Sequence, residues 1–117
     1  MNVREFLQDR FFLFDGAMGT YYQPDAERKC ELANLEDKNA VLAIHRAYIK
    51  AGCNAIKTNT FGANTIALKE DFDTVKQVIE QGCLLAKEAI GEQDIFLFAD
   101  IGPISSSDVS EIGRAHV

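Results

Sequence analysis

The sequence has few cysteines, and their arrangement excludes two common kinds of small protein. The three cysteines, Cys30, Cys53 and Cys83, are widely spaced and form no CxxC pair. An odd number at such spacings predicts neither a disulfide framework nor a local zinc knuckle. We therefore expect reduced thiols in a cytoplasmic protein.

Long hydrophobic runs and basic clusters are also missing. No apolar stretch approaches the roughly 18 residues that a membrane-spanning helix requires. The N-terminal segment carries Arg4, Glu5 and Asp9 and lacks the apolar core of a signal peptide. Asp and Glu outnumber Lys and Arg by 18 to 12, for a net charge of -6, and the basic residues are scattered singly. The sequence therefore predicts no nucleic-acid partner and no membrane surface.

The common nucleotide-binding and nucleophile patterns are absent as well. Gly16 and Gly19 do not form the GxGxxG fingerprint, and no phosphate loop of the Walker type is present. No Ser/His/Asp or Cys/His arrangement can be drawn. His45 lies on the apolar face of a predicted helix, where a hydrogen-bonded core histidine is the expected role rather than a catalytic base.

What the chain does contain is an alternation of apolar strands and amphipathic helices. Short runs at residues 11–14, 55–58 and 95–99, the first and last of them apolar throughout, predict strands, with helices between them at 38–51 and 73–90. The first run is bounded by an acid and a glycine turn, and we expect it to be buried on both faces. Strands and helices in this order predict a parallel α/β sheet built from right-handed βαβ units. At 117 residues the chain is one domain or a piece of one.

The connecting segments carry fewer signals. Residues 2–9 predict a short helix, residues 65–70 another, and the polar stretch 21–35 a long loop. Asp37 is expected to cap the first long helix, and Gly52 and Gly91 to end the two long helices. The apolar stripe of the first long helix comprises Val41, Leu42, His45, Tyr48 and Ile49.

Polar side chains follow each predicted strand at the point where it ends. Asp15 follows the first strand, Asn59 and Thr60 the second, and Asp100 the third. Because the carboxyl ends of parallel strands lie on one side of the sheet, we expect these residues to share a rim that binds a small polar ligand. Either acid alone could equally cap a turn. Three polar strand ends together favour a site, although they identify no reaction.

Four motifs along the chain resemble those of the homocysteine S-methyltransferase family. They are DGAMGT at 15–20, IHRAYIKAG at 44–52, TNTFGAN at 58–64 and ADIGP at 99–103, and they occur in the order the family has them. The resemblance covers residues 10–103 and leaves 104–117 unassigned.

The resemblance implies a TIM (β/α)8 barrel that transfers a methyl group to the sulfur of homocysteine, giving methionine. The chain would be one partial homocysteine-binding domain, the N-terminal three βα units of a truncated barrel. Asp15, Gly16 and Ala17 would hold the amino-acid end of homocysteine, with Asn59 and Thr60 assisting. Asp100 would shape the floor of the site.

The resemblance also implies a zinc ion that activates the substrate thiol as thiolate. In the family three later cysteines hold that zinc, and none of the three cysteines here occupies such a place, so we assign them no metal role. The methyl donor implied is methylcobalamin or a methyl-folate, bound by further domains. A full barrel takes about 250 residues, so we expect this chain alone to be inactive. A small α/β amino-acid-binding module without catalysis and a non-functional remnant are the alternatives.

Overall fold

The computed structural model describes residues 2–22 and 29–104. Residues 23–28 of the predicted long loop and residues 105–117 of the unassigned tail lie outside the described residues. The described elements are α1 (Val3–Phe6), α2 (Met18–Tyr21), a 3-10 turn (Cys30–Leu32), α3 (Ala33–Glu36), α4 (Lys38–Lys50), β1 (Ala55–Lys57), α5 (Thr65–Leu68), α6 (Phe72–Ile90) and β2 (Phe96–Phe98).

The strands run parallel, as predicted. β1 pairs with β2 in a register that places Ala55 beside Phe96, and Phe14 forms a parallel bridge to Ala55. Backbone hydrogen bonds from Asn54 N to Leu13 O (2.9 Å) and from Asp15 N to Ala55 O (3.1 Å) extend that bridge. The first predicted strand is thus a short extended segment beside β1, and the spatial order follows the chain order.

The prediction that residues 11–14 are buried on both faces is wrong. Phe11 is 83% exposed and Leu13 57% exposed, because the described helices leave their side of the segment uncovered. The opposite side is packed: the Phe12 ring lies 5.0 Å from Phe6 of α1 and 5.1 Å from Phe96. Aromatic rings from α1 and the strands therefore cover one face of the sheet.

The two long helices cover the other face and form the core. On α4, Val41 and Leu42 pack against Leu85 and Ala89 of α6, as the predicted stripe requires. A second cluster joins Ile56 of β1 to α6 residues. Both helices end at glycines with positive φ, +112° at Gly52 and +59° at Gly91. That conformation is the reason for glycine at both positions.

One local prediction is wrong, and another is confirmed only in its position. Residues 30–36 are helical rather than irregular, because Leu32, Ala33 and Asn34 are buried against the long helices and this packing outweighs the polar sequence. Asp37 is the N-cap residue of α4, as predicted, but its side chain makes no capping hydrogen bond. α3 runs into α4 through a hydrogen bond from Asp37 N to Ala33 O, and the Asp37 carboxylate instead accepts a hydrogen bond from Tyr22 Oη (3.2 Å).

The remaining boundaries lie close to their predictions. α6 begins at Phe72, and Asp71 caps it by accepting a hydrogen bond from Thr74 N at 2.7 Å. Within residues 2–22 and 29–104, none of the helices combines the length and apolarity that a bilayer crossing requires.

Candidate functional site

A cavity of about 450 Å³ lies where the strands end. All six residues predicted for the rim line it. The lining residues are Asp15, Gly16, Ala17, Met18, Gly19, Cys30, Glu31, Lys57, Thr58, Asn59, Thr60, Phe61 and Asp100. The parallel order of the strands is what brings residues 85 positions apart (100 − 15) to one place.

Asp15 is held by Lys57, the last residue of β1. Lys57 Nζ lies 2.6 Å from Asp15 Oδ1 and donates a second hydrogen bond to Asp15 O at 3.2 Å. The backbone N–H of Lys57 donates to Asp15 Oδ2 at 3.3 Å. The Asp15 side chain is only 4% exposed, whereas that of Lys57 is 35% exposed. The acid is therefore held by three hydrogen bonds from Lys57, and Lys57 is the more exposed member of the pair.

Lys57 was missed by sequence reasoning, although a signal for it exists. Ile56 faces the helices and is fully buried, so the alternation of a strand places Lys57 on the opposite face at the strand end. A cation there lies next to the acid of the neighbouring strand end.

The end of β1 is tied to the end of β2 by hydroxyl groups. Thr60 Oγ1 donates to Asp100 O at 2.7 Å, and Asp100 N donates to Thr58 Oγ1 at 3.1 Å. The two threonine hydroxyls lie 2.7 Å apart. Since the single hydroxyl proton of Thr60 is used toward Asp100, Thr58 is the donor between them. These bonds fix the backbone of Asp100 against the second strand end.

Asn59 is buried in a network of protein hydrogen bonds. Its Nδ2 donates to Asn34 Oδ1 and to Cys30 O, both at 3.0 Å. Asn34 Nδ2 in turn donates to Asn59 O at 2.8 Å and to Val78 O of α6 at 3.0 Å. The amide of Asn59 thus connects the cavity wall to α6. That Asn59 and Thr60 also contact a ligand stays a prediction.

Glu31, a second residue missed from sequence, adds a buried carboxylate to the cavity wall. It is 7% exposed, and its Oε2 accepts a hydrogen bond from Gly62 N at 3.0 Å. With Asp15 and Asp100 it makes three acidic groups among the lining residues, against the single base Lys57. Burial, followed by the Asp15 and Glu31 charges, raises the pKa of Asp100, and the Lys57 ammonium opposes this rise. The excess of acidic groups favours a ligand with an amine.

The cysteine that lines the cavity is a poor metal ligand. Burial, and then the neighbouring Glu31 carboxylate, raise the pKa of Cys30 to about 11. Its thiol is therefore protonated near neutral pH, whereas zinc is bound by thiolate. Among residues 2–22 and 29–104, no group of three or more His, Cys, Asp or Glu is placed to hold a metal ion. The described residues do not fit the zinc site that the family resemblance implies.

The glycine turn after Asp15 rests on α4. Tyr48 Oη donates to Ala17 O at 2.9 Å, and a Cβ added at Gly16 would lie 2.7 Å from Tyr48 Oη. Glycine at position 16 therefore lets the turn approach the helix closely.

His45, one turn earlier on α4, is fully buried. Burial lowers its pKa, and the Asp15 charge opposes this effect. Its core position was predicted, but its expected hydrogen bond was not found: neither ring nitrogen has a partner in the described part of the chain.

The sequence comparisons agree with this placement of motifs. The profile of the homocysteine S-methyltransferase family matches residues 12–114. The chain belongs to the homocysteine S-methyltransferase family. The match continues past Pro103, where the recognisable motifs end.

Two curated relatives carry the name methionine synthase. The protein of Mycobacterium tuberculosis is 32% identical over 102 residues, which is 78% of this chain and 9% of that protein. The protein of Mycobacterium leprae is 35% identical over 103 residues, which is 78% of this chain and 8% of that protein. The chain therefore spans less than a tenth of the length of these relatives.

Proposed function

We propose that this chain supplies the homocysteine-binding rim of an enzyme that methylates the sulfur of homocysteine to give methionine. The observation that carries the proposal is the cavity at the strand ends, which is lined by all six predicted residues in a chain of this family. The cavity volume of about 450 Å³ is ample for a small amino acid. Its excess of carboxylates suits the ligand's ammonium group.

The described contacts support a division of roles. Asp15 would accept the ammonium group, because it is a buried carboxylate held at a fixed position. The backbone of Gly16 and Ala17 would lie against the amino-acid end. Thr60 and Asn59 would act by holding the wall of the cavity, since their hydrogen bonds already go to protein groups. Asp100 would form the floor.

We further propose that the fold is the first part of a TIM barrel. The proposal of three βα units is supported by the parallel order, the helices on one face and the cavity at the carboxyl ends of the strands, the helix of the third unit lying outside the described residues. The aromatic face of the sheet, with Phe12 and Phe96, would then face the barrel interior.

Activation of the sulfur is assigned to residues outside the described ranges, because the described ones do not fit a zinc site. The methyl donor, methylcobalamin or a methyl-folate, would likewise be bound by other domains. We expect the 117-residue chain to bind homocysteine but to form no methionine when zinc and a methyl donor are added. Methionine formation would contradict this assignment, and the same binding without turnover is what an amino-acid-binding module would show.

Calorimetric titration of the chain with L-homocysteine tests the binding role. Asp15→Asn keeps the size of the side chain and removes its charge, so the affinity should fall by about tenfold or more. Asp73→Asn, on the exposed first turn of α6, is the matched control and should bind like the parent. If Asp15→Asn binds as tightly as the parent, the assignment of Asp15 is wrong.

A further inference from the structure

We propose that Lys57 recognises the α-carboxylate of the amino acid, releasing Asp15 to the ammonium group as the ligand binds. This inference rests on the proposed function, since it names how that same cavity distinguishes an amino acid from a simple amine. Lys57 is the base among the described residues that line the cavity, and no role has been assigned to it so far.

The geometry leaves Lys57 able to bind a ligand. An ammonium group has three N–H donors. Two of those on Lys57 go to Asp15, to Oδ1 at 2.6 Å and to the backbone O at 3.2 Å. The third has no partner in the described part of the chain. The Phe14 ring, 5.2 Å from Nζ, supports the cation from one side.

The two members of the pair differ in exposure. The Asp15 side chain is 4% exposed and that of Lys57 35% exposed, so Lys57 is the more accessible partner in the cavity that both residues line. A ligand with an amine alone would have to displace Lys57 from Asp15 and leave that cation without its partner. Such a ligand gains one ion pair only by breaking another, so the exchange yields little net attraction. A ligand with a carboxylate as well offers Lys57 a new partner.

The charges of the cavity point the same way. The acidic groups Asp15, Glu31 and Asp100 would repel the carboxylate of a zwitterion, and among the described lining residues Lys57 alone offers it a side-chain cation. Exchanging partners converts one internal ion pair into two pairs with the ligand, ammonium to Asp15 and carboxylate to Lys57. The two charged groups of the amino acid therefore match the two charges of the Asp15–Lys57 pair.

The experiment compares two probes that differ by the carboxylate. L-Homocysteine carries amine, carboxylate and thiol, whereas 3-aminopropane-1-thiol keeps the amine and the thiol alone. Calorimetry on the parent chain should show L-homocysteine binding about tenfold or more tightly than the amine. Equal affinity for the two probes would overturn the proposal without any variant being made.

Lys57→Met should remove this preference, since it keeps the aliphatic stem and deletes the charge. The affinity for L-homocysteine should fall by about tenfold or more. That for 3-aminopropane-1-thiol should stay the same or rise, because its amine no longer competes with Lys57 for Asp15. Lys57→Arg should retain the preference, and Lys87→Met, an exposed position on α6, should behave like the parent. Circular dichroism of each variant checks that it is folded.

The outcomes separate this inference from the proposed function. If the parent binds L-homocysteine but Lys57→Met keeps the preference for it, the role of Lys57 is wrong and the rim assignment stands. An equal loss for both probes would make Lys57 a positioning residue for Asp15 and overturn carboxylate recognition. If the parent does not bind L-homocysteine at all, both proposals fail.

Discussion

Gly82 lies where α6 crosses the end of β1, and replacing it by alanine tests the packing behind the cavity wall. A Cβ at this position would lie 2.7 Å from Asn34 Nδ2, 2.9 Å from Thr60 Cγ2 and 3.4 Å from Asn59 O. The first two distances are shorter than ordinary contact, so Asn34 and Thr60 would have to move. Both belong to the hydrogen-bonded wall of the cavity.

Opposing effects decide whether this substitution raises or lowers the free energy of unfolding. Glycine to alanine inside a helix normally stabilises by about 1 kcal/mol. Overpacking a filled site costs about 1–3 kcal/mol. Displacing Asn34 also breaks its hydrogen bonds to Asn59 O and Val78 O, and a buried group left unpaired costs about 1–3 kcal/mol. We expect a net loss of about 3 kcal/mol, a large part of the stability of a domain of this size.

Urea unfolding followed by circular dichroism measures the effect as a shift of the midpoint at constant slope. Gly19→Ala is the control, because its Cβ would lie 3.8 Å from Cys30 Sγ, an ordinary contact. That variant should remain within about 1 kcal/mol of the parent. If Gly82→Ala is as stable as the parent or more so, the close packing of α6 against the cavity wall is refuted.

Two further predictions concern titrating groups. Burial lowers the pKa of His45 below its usual 6.5, so the unfolded chain binds this proton at a higher pH than the folded one. The contribution of neutral His45 to the free energy of unfolding is therefore fully present above pH 6.5. It is lost as the pH falls below 6.5, by up to about 1.4 kcal/mol per pH unit. Urea unfolding between pH 7.5 and 5.5, about one unit to either side of that pKa, measures the free energy of unfolding as a function of pH. This free energy should change less with pH in His45→Leu than in the parent. The same pH dependence in both would contradict the burial of a neutral imidazole. For Cys30, a pKa of about 11 in place of 9.0 leaves about a hundredfold less thiolate at mildly alkaline pH. Peptide mass spectrometry measures the rate at which iodoacetamide alkylates this thiol. The logarithm of that rate should still rise linearly with pH up to pH 9.5, about half a unit above the usual thiol pKa. A plateau near pH 9 would show an unperturbed thiol.

Local patterns in the sequence were sufficient to predict the two long helices and the two strands of the fold. α4 and α6 have apolar stripes at helical spacing and end at glycines that adopt positive φ. β2 is an apolar run, β1 is a short run that ends on Lys57, and both have turn signals around them. Because these signals lie within each segment, they survive in the structure with shifts of one or two residues. Parallel pairing followed from the alternation of strand and helix.

The features that were missed depend on contacts between distant segments. The helical turns at 30–36 form because Ala33 and Asn34 pack against α6, which the polar sequence of the loop does not show. Phe11 and Leu13 are exposed because burial depends on which layers cover a strand, and apolar composition alone does not show that.

The candidate site shows the same division. Strand ends could be predicted to meet, and the six residues named in advance do line one cavity. The pairing of Asp15 with Lys57 joins residues 42 apart along the chain, and that of Glu31 with Gly62 joins residues 31 apart. Strand alternation places Lys57 on the face opposite Ile56, but nothing within either segment identifies the partner of Lys57 or of Glu31. The charge balance of the cavity could therefore not be predicted from the sequence.

The central claim is that the rim at the strand ends binds homocysteine, and amide chemical shifts in ¹H–¹⁵N correlation spectra test where binding occurs. Titration of the labelled 117-residue chain with L-homocysteine should move the amides of Gly16, Ala17, Lys57 and Asp100 first. Amides on the outer face of α6, such as those of Lys76 and Glu80, should stay in place. Shifts confined to residues away from the cavity, or no shifts at saturating ligand, would contradict the account.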